Sequence, residues 1–239
     1  MSSHISLLSK GCEELGIELS GEQIDQFDKY MQLLLEWNKK FNLTAIKEAD
    51  ENVINHFLDS LSVLKAGLVE DDCNMLDLGT GAGFPGIPLR IAMPGVNITL
   101  VDAVNKKVTF LAEVIKELRL DNTIALHGRA EELAKQKNMR ESYDIVVSRA
   151  VAELKVLLEY TIPFVRVGGY SIFNKGPGAK AELKDSKRAA DILGAHTPKQ
   201  KRVFVPFSER THNLVITKKV KHTPEKYPRS PGRPKRSPL

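Results

Sequence analysis

The sequence predicts an α/β fold: a mostly parallel, seven-stranded sheet with an antiparallel edge hairpin, preceded by a helical extension. Three observations lead there. From residue 73 onward, short apolar runs alternate with amphipathic segments of helical period. The first apolar run, Met75 to Leu78, ends in the alternating glycines Gly79, Gly81 and Gly83. Before residue 67 only helical periodicity is found.

Within residues 1–66, Ile5, Leu8, Cys12 and Leu15 mark a first amphipathic helix. Ser20 and Gln23 form a capping-box pattern for a second, whose apolar face runs Ile24, Phe27, Met31, Leu34 and Leu35. Asp50 is placed to cap a third, with Val53, Ile54, Phe57, Leu58, Leu61 and Leu64 apolar. His56, Asp59 and Ser60 share one face of it. Three such groups on one helix are not how a hydrolase triad is built, so that face is expected to dock on the sheet domain or line a cleft.

Strands are predicted at 74–78, 97–101, 123–126, 143–147, 170–173, 202–205 and 213–217. Helices fit at about 85–93, 105–119, 129–138, 152–163 and 180–193. Such alternation requires crossover connections and a parallel sheet covered on both faces. The last two strands are joined only by 206–212, too short for a crossover, so they form an antiparallel hairpin. The organisation expected is a helical region at 1–66, a nucleotide-binding domain at 67–219 and a tail at 220–239. The tail carries five prolines and a high positive charge, a composition that predicts disorder.

The net charge of +5 is unevenly placed: residues 1–72 hold 6 Lys/Arg against 14 Asp/Glu, whereas 218–239 hold 8 Lys/Arg against Glu225 alone. A basic core and tail suit a polyanionic partner such as nucleic acid. No apolar run reaches the length of a membrane span, so no membrane partner is expected. Cys12 and Cys73 lack metal spacing and are too few for a disulfide framework. A reduced, cytoplasmic monomer without metal is the expectation.

Strand, glycine turn and helix bring bare backbone amides against a nucleotide-like ligand. Two frames fit. Gly81, Gly83 and Gly86 match the dinucleotide pattern G-x-G-x-x-G, which would make an NAD(P)-dependent oxidoreductase. Asp77, Gly79, Gly81 and Gly83 match acidic-x-Gly-x-Gly-x-Gly, which resembles the first motif of class I S-adenosylmethionine-dependent methyltransferases. Asp102 ends the second strand 19 residues beyond Gly83, where a carboxylate accepts ribose hydroxyls in either case. After the third strand, Ala130 and Glu131 match the place where methyltransferases meet adenine. Ser148-Arg149-Ala150 ends the fourth strand without the Pro-Pro-aromatic motif common in exocyclic-amine methyltransferases. Neither cysteine is placed for the covalent chemistry of pyrimidine-C5 methylation. A nucleophile that already owns a lone pair, such as guanine N7, needs neither device.

Taken together, Trp37-Asn38-Lys39-Lys40-Phe41-Asn42-Leu43-Thr44, His56 with Asp59-Ser60-Leu61, the 77–86 turn, Gly128 to Glu131 and Ser148 to Ala150 resemble the glucose-inhibited division protein B family. The resemblance covers about residues 20–217 and leaves the tail outside. It implies a guanine-N7 methyltransferase of 16S, small-subunit ribosomal RNA, acting on free RNA or on an assembling particle, with S-adenosylmethionine as cofactor. It implies cofactor contacts from Gly79, Phe84, Ala130, Glu131 and Arg149, beside Asp77, Gly81, Gly83 and Asp102. No general base is required, and Arg149 is expected to position rather than to abstract a proton. Asn38, Lys39, Asn42, His56 and Lys175 are the candidate RNA contacts. A non-catalytic RNA-binding protein is the remaining alternative.

Overall fold

A computed structural model of the chain describes residues 2–149 and 152–239. Ala150, part of the motif after the fourth strand, lies outside the described residues. Helix α1 spans Ser3–Glu14 and α2 spans Gly21–Phe41. The capping box is formed as the sequence predicts: Ser20 Oγ accepts from the Gln23 N–H at 3.2 Å, and Gln23 Oε1 accepts from the Ser20 N–H at 2.7 Å. Gln23 also donates to the Ile91 carbonyl at 2.7 Å, tying the start of α2 to the sheet domain. Helix α2 ends at Asn42, whose φ of 49° is a left-handed conformation that asparagine tolerates.

The third helical stretch, 49–66, is continuous but changes its winding. It is α-helical at Ala49–Asn52, π-helical at Val53–Leu58, α-helical at Asp59–Leu61 and 3-10 at Ser62–Ala66. It is preceded by Glu48 rather than capped by Asp50. The π-helical turn carries His56, and such turns are frequent at functional sites.

The strands are β1 (Asn74–Leu78), β2 (Asn97–Asp102), β3 (Thr123–His127), β4 (Tyr143–Arg149), β5 (Val165–Lys175), β6 (Lys199–Val203) and β7 (His212–Lys218). They form one sheet in the order β3-β2-β1-β4-β5-β7-β6. The five on the β3 side are parallel, and β7 pairs antiparallel with both β5 and β6. Alternate residues feed different cores. Met75, Ile98, Leu100, Ile145 and Val147 pack toward α1, α2 and the 49–66 helix, whereas Leu76, Leu78, Val101 and Val146 join the cluster around Phe164. Period-two burial into two clusters shows a sheet covered on both faces.

The expected hairpin is present, but β6 lies three residues earlier than predicted. Its first four residues are exposed, so no apolar run marks it. The helix predicted at 129–138 is regular only over Ala130–Leu133, and turns follow to 141.

The tail departs most from expectation. It is not disordered: residues 220–239 pack against the body, with Thr223, Tyr227 and Pro234 buried. Lys219, fully buried, reaches Glu141 at 2.7 Å, and Arg140 donates to the carbonyls of Thr223 (2.8 Å) and Tyr227 (2.9 Å). Composition fails here because polar pairing holds the segment together with the few apolar side chains it has, Tyr227 and Leu239 among them. No helix of the described residues is long and apolar enough to cross a membrane.

Candidate functional site

Chain order reverses at β1: the path runs outward to β2 and β3, then returns to β4 on the other side. In open α/β sheets the crevice at such a point, at the carboxyl ends of the strands, receives the ligand. Here it holds two clefts that meet at His56 and Arg149. One, of about 430 Å³, is lined by Gly79, Gly81, Phe84, Asp102, Lys107 and Thr44 among others. The second, of about 700 Å³, is lined by Asp59, Asn174, Lys175, Arg210 and His212 among others.

The glycine turn builds the first cleft. The N–H groups of Gly79 and Thr80 both donate to the Val101 carbonyl, at 2.8 and 3.1 Å, anchoring the turn to β2. Asp77 is fully buried; its Oδ2 accepts from Thr80 Oγ1 at 2.6 Å and from the Gly86 N–H at 2.7 Å. Its Oδ1 has no hydrogen-bond partner among the described residues. Burial therefore dominates and pushes the Asp77 carboxyl up to about 7, although both hydrogen bonds oppose the shift. Asp102 closes the turn from the side: its Oδ2 accepts from the Gly81 N–H and its Oδ1 from the Val104 N–H, both at 2.9 Å.

The three glycines do not share one role. Gly79 and Gly81 line the cleft, with φ of 73° and 64°. Gly83 faces inward: a Cβ there would lie 2.7 Å from Ile87 Cγ1 and 2.8 Å from Tyr30 Oη. Gly86 is likewise buried, and its Cβ would meet Leu100 at 2.4 Å and Asp77 Oδ2 at 2.8 Å. Of the dinucleotide frame at 81, 83 and 86, only Gly81 therefore reaches the cleft.

Tyr30 of α2 secures the turn from behind. Its hydroxyl donates to the Ala82 carbonyl at 2.5 Å, and its ring stacks on Phe57 at 5.3 Å. Replacing Tyr30 by phenylalanine keeps the stacking and strands a buried carbonyl. It is expected to lower stability by about 1–2 kcal/mol and to weaken ligand binding at the turn. Urea midpoints and calorimetric titration on one preparation check both effects; unchanged affinity would show that the turn holds itself.

Arg149, at the end of β4, is the strut between the clefts. Its Nη1 donates to the Asn55 carbonyl at 2.9 Å and to Asp59 Oδ2 at 3.0 Å, while Nη2 lies 3.1 Å from His56 Nδ1. His56 Nδ1 also lies 3.0 Å from the Asn55 carbonyl, so it sits between a donor and an acceptor, while its Nε2 lies 2.8 Å from Thr44 Oγ1. The His56 ring stacks on Phe84 at 4.5 Å, and the Arg149 guanidinium lies 5.0 Å from the same ring. Burial, and then Arg149, lower the His56 pKa to about 4. Asp59 Oδ1 accepts from His212 Nδ1 at 2.9 Å, and His212 Nε2 lies 2.8 Å from Ser208 Oγ. Despite burial, which opposes it, pairing with His212 and Arg149 holds the Asp59 carboxyl below its ordinary value.

The depressed His56 pKa gives a signed prediction. A neutral buried histidine contributes stability above its unfolded value near 6.5 that is lost as pH falls through about 4. His56→Gln cannot take up that proton. Its stability relative to the parent is expected to rise by on the order of 2 kcal/mol between pH 6.5 and 4. Paired urea titrations across that range measure the difference, and a constant difference would overturn the assignment.

The other sequence candidates divide. His56 and Lys175 line the second cleft, where Lys175 Nζ is held by the Ala152 carbonyl and by Glu182 Oε2 at 2.8 Å. Asn38, Lys39 and Asn42 line a separate notch of about 450 Å³. Asn38 is buried and structural there, its Oδ1 accepting from the Thr44 N–H at 2.9 Å. Ala130 and Glu131 do not line the first cleft; Glu131 Oε1 is taken by the Gly232 N–H of the tail. Sequence reasoning missed Lys107, Asn174 and His212 as cleft residues, and it had no local signal joining Asp59 to a histidine 153 positions away.

The family described as rRNA small subunit methyltransferase G matches residues 23–214. The chain belongs to that family. A relative from Alkaliphilus metalliredigens, named ribosomal RNA small subunit methyltransferase G, is 48% identical over 233 residues, covering 98% of both chains. One of the same name from a Thermoanaerobacter species is 47% identical over 235 residues, again covering 98% of each. The family match ends at residue 214, in line with the expected 20–217, while alignments with these two relatives are long enough to run into the tail.

Solved structures support the fold. A Haloferax volcanii putative methyltransferase, in complex with the Trm112 activator, superposes with a TM-score of 0.58 at 14% identity. It covers 79% of this chain and 98% of that one. TYW2 from M. jannaschii, in complex with AdoMet, gives 0.52 at 14% identity, covering 68% of this chain and 77% of that one. Gly79, Gly81 and Asp102 are of the right chemistry for that cofactor class: a bare glycine turn, and a carboxylate, beside a cleft of nucleoside size.

Proposed function

We propose that the protein transfers the methyl group of S-adenosylmethionine to the N7 atom of a guanine in small-subunit ribosomal RNA. The observation that carries this reading is the meeting of two clefts at His56 and Arg149. The cofactor occupies the glycine-turn cleft, with Gly79 and Gly81 amides and Asp102 around it. The guanine enters the larger cleft, whose rim carries Lys175, Arg210 and His212. A base must leave its stack to reach such a depth.

The cofactor supplies an electrophilic methyl carbon, and guanine N7 supplies its own lone pair. Methylated N7 carries the positive charge that the sulfonium loses, so no proton is removed at this step. The groups between the clefts agree with that. The Arg149 guanidinium offers donors and no acceptor. Both His56 ring nitrogens are engaged, Nδ1 between Arg149 and the Asn55 carbonyl and Nε2 against Thr44, which leaves no free basic nitrogen toward the site. Acceleration then comes from alignment of the two reactants.

The test is methyl transfer from labelled cofactor to purified 30S particles and to free 16S RNA, with 7-methylguanine located by strand scission at the modified base. A modified guanine on either substrate supports the proposal and distinguishes free RNA from particle. Label on another atom or on no RNA overturns it. Calorimetric titration with S-adenosylhomocysteine and with NAD checks the cofactor independently.

A further inference from the structure

The body buries two carboxylates near Tyr160. Glu159, on the helix Leu154–Thr161, is fully buried, and Glu131, on the short helix Ala130–Leu133, is 4% exposed. Both bear on Tyr160, whose phenol is pushed up by burial first and then by the charges of Glu131 and Glu159. Buried like charges are unfavourable unless donors or cations satisfy them.

The C-terminal segment supplies both. Arg229 lays its guanidinium on Glu159, with Nε to Oε1 at 2.8 Å and Nη2 to Oε2 at 2.5 Å, and its backbone N–H donates to the same Oε1 at 2.9 Å. Three residues on, the Gly232 N–H donates to Glu131 Oε1 at 2.9 Å. Gly232 has φ of 77°, where glycine is favoured. The segment is anchored at its start by Glu141, whose Oε1 accepts from the Thr223 N–H at 2.8 Å and from Lys219 Nζ.

Glu131 also belongs to the ligand end of the sheet. His127, the last residue of β3, pairs in register with Asp102, and the Gly128 N–H donates to the Asp102 carbonyl at 3.1 Å. Glu131 follows three residues later. One backbone N–H of the tail therefore fixes the segment that flanks the carboxylate of the glycine-turn cleft.

We propose that residues 223–237 form a positioning strap for the cofactor site, in which Gly232 holds Glu131 and so the 128–131 segment beside Asp102. This rests on the reading that the cleft binds S-adenosylmethionine. The strap touches Glu131, not the cofactor, and acts through it. Arg229, counted by sequence among the cations available to RNA, is committed inside the protein.

The full-length Gly232→Pro variant removes the N–H and, because proline fixes φ near −65° where Gly232 stands at 77°, also breaks the local turn, while Arg229 stays in the chain. Gly232→Ala keeps the N–H. A chain ending at Lys221 removes the strap and leaves β7 whole. Each is titrated well below its melting temperature with S-adenosylhomocysteine and with 5′-methylthioadenosine, which lacks the amino-acid end. In Gly232→Pro and in the truncated chain both ligands are expected to weaken by the same factor, about tenfold, the size of one lost charge-assisted hydrogen bond. Gly232→Ala should stay within about threefold of the parent, since only left-handed strain is added. A lower melting temperature with unchanged affinities would make the strap a structural brace and overturn the proposal. Weakening of S-adenosylhomocysteine alone would place its action at the other end of the cofactor and also overturn it. So would unchanged affinities with a flatter salt dependence of RNA binding, which would make the tail an RNA arm. If the parent chain binds neither ligand, the cofactor reading itself falls, and the strap proposal with it.

Discussion

Replacing Arg149 by alanine is expected to lower methyl-transfer turnover by about 10²-fold, the scale set by small misplacements of reacting groups. The reason lies in what the guanidinium holds. Its two terminal nitrogens reach Asn55, Asp59 and His56, all on the 49–66 helix, from the last described residue of β4. With Arg149 gone, the walls of both clefts lose their common strut, and Asp59 keeps only His212 and Asn174. Lysine at 149 can pair with Asp59, yet a single ammonium cannot span His56 and Asn55 in the geometry of the fork. It should recover less than tenfold of the loss. Single-turnover rates at saturating cofactor separate this effect from weaker binding. Turnover within threefold of the parent in Arg149→Ala would remove Arg149 from the mechanism. Because no proton leaves guanine N7, the parent rate should also be level from about pH 8 to 9, above the Asp77 value of about 7.

What could be read from the sequence follows the range of the interactions involved. The strands near the site, the capping box and the glycine turn are local patterns, and each appears close to its predicted place. The sequence also singled out Gly79, Gly81, Phe84, Asp102, His56 and Arg149, which line one crevice, whereas Asp77 is buried behind the turn. It failed where partners are distant. His212 reaches Asp59 across the sheet edge, and Gly232 reaches Glu131 from the far end of the chain, 101 positions on. Composition misread the tail for a related reason. Low apolar content predicts disorder only if apolar area must carry the packing. Here Arg229 and Glu159, Lys219 and Glu141, and Arg140 with two carbonyls carry much of it. The edge strand β6 was misplaced because four of its five residues are exposed, so neither face imposes a pattern. Spacing also assigned Gly83 to the ligand, since it does not tell which side of a turn a Cβ would face.

That last distinction gives the second large effect. Gly79→Val is expected to abolish measurable binding of S-adenosylhomocysteine, a loss of at least about 100-fold, and to leave a folded protein. Gly79 lines the cleft with φ of 73°, a conformation that a β-branched residue adopts only with strain of about 1–3 kcal/mol. The anchors on either side, Gly79 and Thr80 to the Val101 carbonyl and Asp77 to Thr80 and Gly86, do not involve its side chain position. The strain leaves these anchors in place, while a branched side chain on a cleft-lining residue takes room from the ligand. Gly83→Ala makes the opposite case. Its Cβ would be 2.7 Å from Ile87 and 3.1 Å from Leu111, with the Tyr30 hydroxyl at 2.8 Å. One added carbon there displaces the core and the clamp on Ala82, at a cost of about 1–3 kcal/mol for overpacking with further strain from φ of 103°. Melting curves and titrations of the two variants should thus cross: binding lost with the fold kept at 79, and stability lost more than binding at 83. If Gly79→Val binds as the parent does, the ligand does not approach the turn, and the cleft beside it is not the cofactor site.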